Sequence, residues 1–224
     1  MANRPAFIAT KNDKLVEIKN VEFEYFTGFA AVQKAKTRDS FHNAIRELGY
    51  EKILEVSTNS DNELGWQLSA FNLMTDYDGE KIPLECAFQG SKVFEYGGPY
   101  TDIFKKTNIE AKKDKRLKTS GEIIKFKFNE TEWETEPQTA FYDWLYISTV
   151  YKNYPHLIEE LANYEVFTDI AFNPKKSVNC QAKSCAILVS LYHICKLEEA
   201  LFSKDNFLRI VYGYKEKPKQ GSLF

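Results

Sequence analysis

The stretch Ile82–Phe94, IPLECAFQGSKVF, constrains this chain more than any other. Its spacing predicts a short helix with Glu85, Phe88, Gln89 and Lys92 on one face, because positions i, i+3, i+4 and i+7 stack at a 3.6-residue period. Pro83 suits the first helical position, where its missing N–H costs nothing. Glu85 then lies in the first turn, where the helix dipole favours a carboxylate. The stripe combines an acid, an amide, an amine and one aromatic. A core stripe is normally apolar, and a solvent stripe seldom carries a phenylalanine at its centre. The plain alternative is an amphipathic helix with a dipole-friendly glutamate and a surface lysine.

Around this stretch the chain reads as α+β, helix-rich with a small β-sheet. Residues 6–9 and 15–26 read as strands, with Asn20 marking a bulge. The helical period over 38–48 rests on Phe41, Ala44, Ile45 and Leu48, and Gly49 stops it. Lys34 and Lys36 lie just before it, either as ligand contacts or in a solvated linker. Residues 52–57 form a strand, 65–73 a short helix or loop, and 75–81 a turn tightest at Asp78-Gly79. A strand over 122–128, a polar connection over 130–136 and an aromatic helix over 139–150 follow. A second helix spans 155–164, and an extended segment over 165–171 delivers Asp169. A long helix from Gln181 to Leu201 turns Ala182, Cys185, Leu188, Val189, Tyr192 and Cys195 inward, with Asn179 as its N-cap.

The length of 224 residues suits one domain, or two small ones at most. A single domain over 1–214 with a mobile tail at 215–224 is the expectation. A net charge of −2 gives no global pull toward nucleic acid or anionic membrane, so any such contact must be local. Residues 105–118 hold seven Lys/Arg against Glu110 and Asp114, a local charge of +5. They are either a solvated face or a phosphate-contacting patch with Lys112, Lys113, Lys115 and Arg116 at its centre. No apolar run approaches membrane-spanning length and no signal-peptide pattern opens the chain. Four cysteines without C-x-x-C spacing fit reduced thiols in a cytoplasmic protein. The three histidines have no metal-ligand spacing, and no metal or cofactor is expected.

E-x-x-F-Q-x-x-K from Glu85 to Lys92, preceded by D-G-x-x-x-P at Asp78–Pro83, resembles the central motif of the NADAR family, the YbiA-like N-glycosidases. Leu68-Ser69-Ala70-Phe71-Asn72 resembles that family's upstream L-S-N-F segment. Thr168-Asp169 and Asn179 resemble its closing segment. From RPAFI near the start to NCQAKSCAILVSL near the end, the chain is similar to the NADAR antitoxins that accompany DarT-type ADP-ribosyltransferase toxins. One position departs: the family's tryptophan three residues after the aspartate is Phe172 here, followed by Asn173-Pro174.

The resemblance implies an ADP-ribosyl hydrolase that cleaves a C–N glycosidic bond on a modified nucleobase, guanine in DNA. The cognate toxin is an implied partner, and membrane contact is not. It places acid/base work on Glu85, whose burial beside Phe88 would raise its pKa, and a second carboxylate at Asp169. Gln89 would orient ribose or base. Lys92 would pair with phosphate or with Glu85, or attack an opened ribose as an amine, a role open also to Lys34 and Lys36. Ser69, Phe71, Asn72, Phe88 and Asn179 complete the implied substrate contacts, although Phe71 by composition reads as core. Two other classes fit the same residues. One is a non-catalytic ADP-ribose binding module; the other neutralises a toxin by contact alone.

Overall fold

The computed structural model describes residues 1–28 and 30–214; the expected tail at 215–224 lies outside them. The N-terminal strands β1 (Ala2–Ala9) and β2 (Val16–Phe23) pair antiparallel from Ala2↔Phe23 to Ala9↔Val16. Asn20 opposes Pro5 in unbroken register, so the expected bulge there is absent. Helix α1 (Ala31–Arg46) begins seven residues earlier than its apolar period suggests, which puts Lys34 and Lys36 on the helix. Its first six residues, AVQKAK, are mostly good helix formers and none is buried; Thr37, Arg38, Phe41, His42 and Ile45 are the buried ones.

Strand β3 (Ile53–Glu55) leads to α2 (Glu63–Gln67), capped by Asn62 Oδ1 accepting from Leu64 N. The segment expected to be a turn is a full hairpin, β4 (Met74–Tyr77) and β5 (Glu80–Pro83). Asp78 and Gly79 both take positive φ, 49° and 79°, the conformation that a two-residue hairpin loop demands. Next come α3 (Leu84–Gly90), β6 (Lys92–Phe94), a 3₁₀ turn at Thr101–Lys105, α4 (Asn108–Lys113) and α5 (Arg116–Thr119). Thr107 and Glu110 form a reciprocal capping box at α4. The polar stretch 130–136 contains β8 (Thr131–Glu134), which pairs with β7 (Ile123–Phe128) and buries Trp133.

The last third holds α6 (Ala140–Asn153), a 3₁₀ turn at Pro155–Leu157, α7 (Ile158–Leu161), β9 (Val166–Thr168), α8 (Gln181–His193), α9 (Leu197–Leu201) and α10 (Lys204–Tyr212). The long helix expected from Gln181 to Leu201 is therefore two pieces, α8 and α9, and α10 follows beyond it. Cys195, with φ of 55°, lies in the break after α8; it and Tyr192 are exposed rather than inward. Cys180, not Asn179, is the N-cap of α8.

Among the described residues the strands form three sheets rather than one small sheet: β2-β1-β9-β3, the β4-β5 hairpin, and β6-β7-β8. The four-stranded sheet separates two cores. Ala6 and Ile8 pack toward α1 with Val21, Phe23, Phe41, Ile45 and Val166. Phe7, between them, faces the larger core of α6, α8 and α3 with Leu54 and Phe167, as the two-residue period of a strand requires. That core is aromatic at its centre, where Phe141 stacks on Phe126 at 4.9 Å. β3 and β9 run parallel, Glu55 beside Thr168. Both end at the same edge, so the residues that follow them, Ser57 and Asp169, reach one place.

Candidate active site

Helix α3 is buried along its whole length, from Leu84 to Gly90. Its backbone presses on the 3₁₀ turn: a Cβ at Gly90 would lie 2.5 Å from the Phe104 ring and 2.9 Å from Tyr100 O. Only glycine fits there. Pro83 ends β5 and precedes the helix rather than occupying its first turn. The helix stops at Gly90, and Ser91 Oγ donates to Ala87 O at 2.7 Å. Lys92 consequently begins β6, opposite Phe126 of β7, and is not the fourth residue of a helical stripe.

Its side chain nevertheless returns to the stripe. Lys92 Nζ donates to Gln89 Oε1 at 2.6 Å and lies 4.7 Å from the centroid of the Phe88 ring. Gln89 Nε2 in turn donates to Glu85 Oε1 at 2.8 Å. Lys112 Nζ stands 3.6 Å from the same Glu85 oxygen and 4.4 Å over the Phe71 ring. A fixed amide thus links an amine to a carboxylate with a second cation beside it. Burial lowers the Lys92 pKa to about 8, against an upward pull from Glu85. Glu85 does not sit in the apolar niche expected beside Phe88, because a donor and a cation flank it.

Asp169 approaches from the end of β9. Its Oδ1 accepts from Ala171 N at 2.9 Å and Phe172 N at 3.2 Å, and its Oδ2 accepts from Gln181 Nε2 at 3.0 Å. Gln181 Oε1 accepts from Ala70 N at 2.6 Å, which ties the start of α8 to the 68–72 segment. Burial, then the negative charge of Glu55, raises the Asp169 pKa to about 7. Glu55 itself is buried at 1% exposure, and burial raises its pKa too. It accepts from Ser57 Oγ at 2.6 Å, Thr168 Oγ1 at 2.7 Å and Ile170 N at 2.9 Å. His42 Nε2 lies 2.9 Å from Thr168 Oγ1. Thr168 gives its one hydroxyl proton to Glu55, so His42 carries its proton on Nε2 and donates. Burial and then Arg46 hold the His42 pKa down at about 4, which keeps the ring neutral.

Glu85 and Asp169 line one cavity of about 320 Å³, together with Ser57, Ser69, Phe71, Phe88, Gln89, Lys112 and Asn179. Lys92 opens instead into a second cavity of about 190 Å³, which shares Phe88, Tyr142 and Asn179 with the first. Other candidates lie elsewhere. Asn72 is off the lining and donates Nδ2 to Trp66 O at 2.7 Å. Lys34 lines a groove with Arg38 and Asp61 that meets the first cavity only at Thr58. Lys36 lines another groove, by Phe23 and Phe26. Lys113 and Lys115 are exposed and off the cavity. Arg116 is bound to Asp102 at 2.6 Å and Asp114 at 2.8 Å and is off the cavity. Sequence reasoning missed Glu55, Ser57, Tyr142, Lys176 and Gln181. Gln181 lies within the family-like closing segment, and Glu55 carried no local signal. Among the described residues no group of three His, Cys, Asp or Glu side chains is placed to hold a metal ion.

The family model for the DarT1-associated NADAR antitoxin matches residues 2–221. The chain belongs to that family. The match spans both arms of the site, the α3 arm with Glu85 and the β9 arm with Asp169. No curated protein matches the chain. The family is one of antitoxins associated with DarT1, and no described helix is long and apolar enough to cross a membrane.

Proposed function

We propose that this NADAR antitoxin is an N-glycosidase that removes ADP-ribose from a modified nucleobase, guanine in DNA, and so reverses the action of its DarT1 partner. One observation carries the reading: two carboxylates from separate elements, Glu85 and Asp169, line the same cavity in opposite electrostatic settings. Cleavage of a ribosyl C–N bond passes through an oxocarbenium-like state, which needs negative charge near C1 and a proton for the departing nitrogen. Glu85, held between Gln89 and Lys112, supplies the charge. Asp169, with a pKa near 7, holds a proton at neutral pH and gives it to the nitrogen as the bond breaks. It then accepts a proton from the water that attacks C1. ADP-ribose and the unmodified base leave. Lys112 and Lys176 stand at the cavity as partners for the diphosphate, and Lys113 and Lys115 extend the cationic surface toward DNA.

A second reading rests on Lys92. A buried amine with a pKa near 8 is substantially neutral just above physiological pH, and so able to attack the aldehyde of an opened ribose. Incubation with DNA carrying ADP-ribosylated guanosine tests the main reading: released ADP-ribose supports it. Binding without release leaves a non-catalytic module, and no interaction with the substrate leaves neutralisation by contact. Borohydride added during turnover separates the chemistries, since an ADP-ribosyl adduct on Lys92 would assign first contact to the amine.

A further inference from the structure

We infer that Gln181, the first residue of α8, is a positioning residue that makes Oδ2 of Asp169, and not Oδ1, the oxygen that carries the proton into the reaction. This rests on the glycosidase reading above. The Gln181 side chain is buried at 8% exposure, and its amide has one possible orientation. Ala70 N–H can only donate, so the atom 2.6 Å from it is the amide oxygen. Nε2 is thereby turned to Asp169 Oδ2 at 3.0 Å, and it too can only donate.

The two oxygens of Asp169 are not equivalent. Oδ1 accepts from Ala171 N at 2.9 Å and from Phe172 N at 3.2 Å, the latter shared with the Asp169 carbonyl. A carboxyl oxygen has two acceptor sites, and backbone donors fill both on Oδ1. Oδ2 holds Gln181 on one site and has the other left among the described residues. The neutral acid therefore carries its proton on Oδ2. Asp169 and Gln181 both line the first cavity, where the departing nitrogen would take that proton.

The same amide joins the two arms of the site. Through Ala70 it grips the 68–72 segment, whose Phe71 O accepts from Asn108 Nδ2 at 2.8 Å. Asn108 begins α4, and Lys112 of that helix stands over the Phe71 ring and 3.6 Å from Glu85. A continuous set of contacts thus runs from Asp169 to Glu85, with Gln181 as its first joint.

An N–H directed at Oδ2 also favours the ionised form, so its loss should raise the proton affinity of Asp169. The other groups around Asp169 are Glu55 from β3, Tyr142 from α6, Cys180 at the N-cap of α8 and Lys176 in the loop before it. Glu85 and Lys112 face it across the cavity. Burial holds Tyr142 and Cys180 neutral, and a change at position 181 leaves all six groups in place.

The pH dependence of single-turnover hydrolysis tests this, with the full chain acting on ADP-ribosylated guanosine DNA. Gln181→Met keeps the length and removes the donor. Its activity limb, near pH 7 in the wild type, should move up by about one pH unit. Its rate on the low-pH plateau should fall about tenfold, as the proton loses its direction. Gln181→Glu keeps an acceptor for Ala70 N–H and adds negative charge, so its limb should move further up. A cooperative thermal unfolding transition is the folding control, and either variant decides the matter if the other fails it. A limb left at its wild-type position in a folded variant would overturn the assignment, even with a lowered plateau, because a merely structural residue would do the same. A limb moved to lower pH would overturn it as well. Failure of the parent reading looks different: the wild-type protein leaves the DNA intact, or the limb survives in Asp169→Asn.

Discussion

Glu85 and Asp169 face one cavity, yet their neighbours are opposite in kind. Glu85 sits on a buried helix with an amide donating to it and a lysine 3.6 Å away. Asp169 sits at a strand end, steadied by two backbone N–H groups and Gln181, with a second buried carboxylate, Glu55, behind it. A cation stands beside Glu85, whereas burial and the anion behind Asp169 raise that acid's proton affinity. On the proposed glycosidase reading, that contrast, rather than the mere presence of two acids, is what gives charge stabilisation to one and proton transfer to the other.

The largest effects should come from neutralising either acid. Glu85→Gln keeps size and hydrogen bonding but removes the charge, and turnover of ADP-ribosylated DNA should fall about 10²–10³-fold. ADP-ribose affinity should hardly change, because the lost interaction belongs to the transition state. Asp169→Asn should cost a similar factor and in addition erase the titration near pH 7. A loss confined to KM in either variant would dissolve the contrast.

Glu55→Gln sharpens it. Glu55 is fully behind the cavity wall, and its removal leaves hydroxyls at Ser57 and Thr168 that can turn to satisfy the amide. Its negative charge disfavours ionisation of Asp169, so without it the Asp169 pKa falls. Activity that needs protonated Asp169 should then decline at lower pH, and at pH 7 the loss should be about fivefold for a shift of one unit. An unmoved profile would reduce Glu55 to a structural prop. Lys112→Ala should weaken ADP-ribose binding by about fivefold, seen by calorimetry, through loss of a charge-assisted contact. The smallest effect belongs to Lys113→Ser with Lys115→Ser: about two- to threefold weaker DNA binding at low salt and a slope against salt reduced by about two. An unchanged slope would return those lysines to a solvated face.

The halves of this contrast were not equally legible. Glu85, Phe88 and Gln89 declared themselves through local spacing, because a helix places i, i+3 and i+4 together without help from the rest of the chain. Lys92 kept the period but not the conformation, since its pairing with Phe126 is set by a strand far along the sequence. The early start of α1 was hidden for the converse reason: its first turns overhang the core and carry no apolar period. Glu55 lies in a short strand-like run, Ile53-Leu54-Glu55-Val56, that carries no local sign of a site. Its partners Thr168 and Ile170 come from β9 and the loop beyond it, and no local pattern foretells that meeting. Arg116 erred the other way: a basic cluster looked free until the fold brought Asp102 to it.

The division of labour between the two acids is tested most directly by the pH dependence of single-turnover hydrolysis, measured on ADP-ribosylated guanosine DNA with wild-type protein and Asp169→Asn. Asp169 carries a pKa of about 7, so wild-type activity should fall as pH rises through that value, and the residual activity of Asp169→Asn should show no such limb. A limb near pH 7 that survives in Asp169→Asn would contradict the assignment and move the proton to another group.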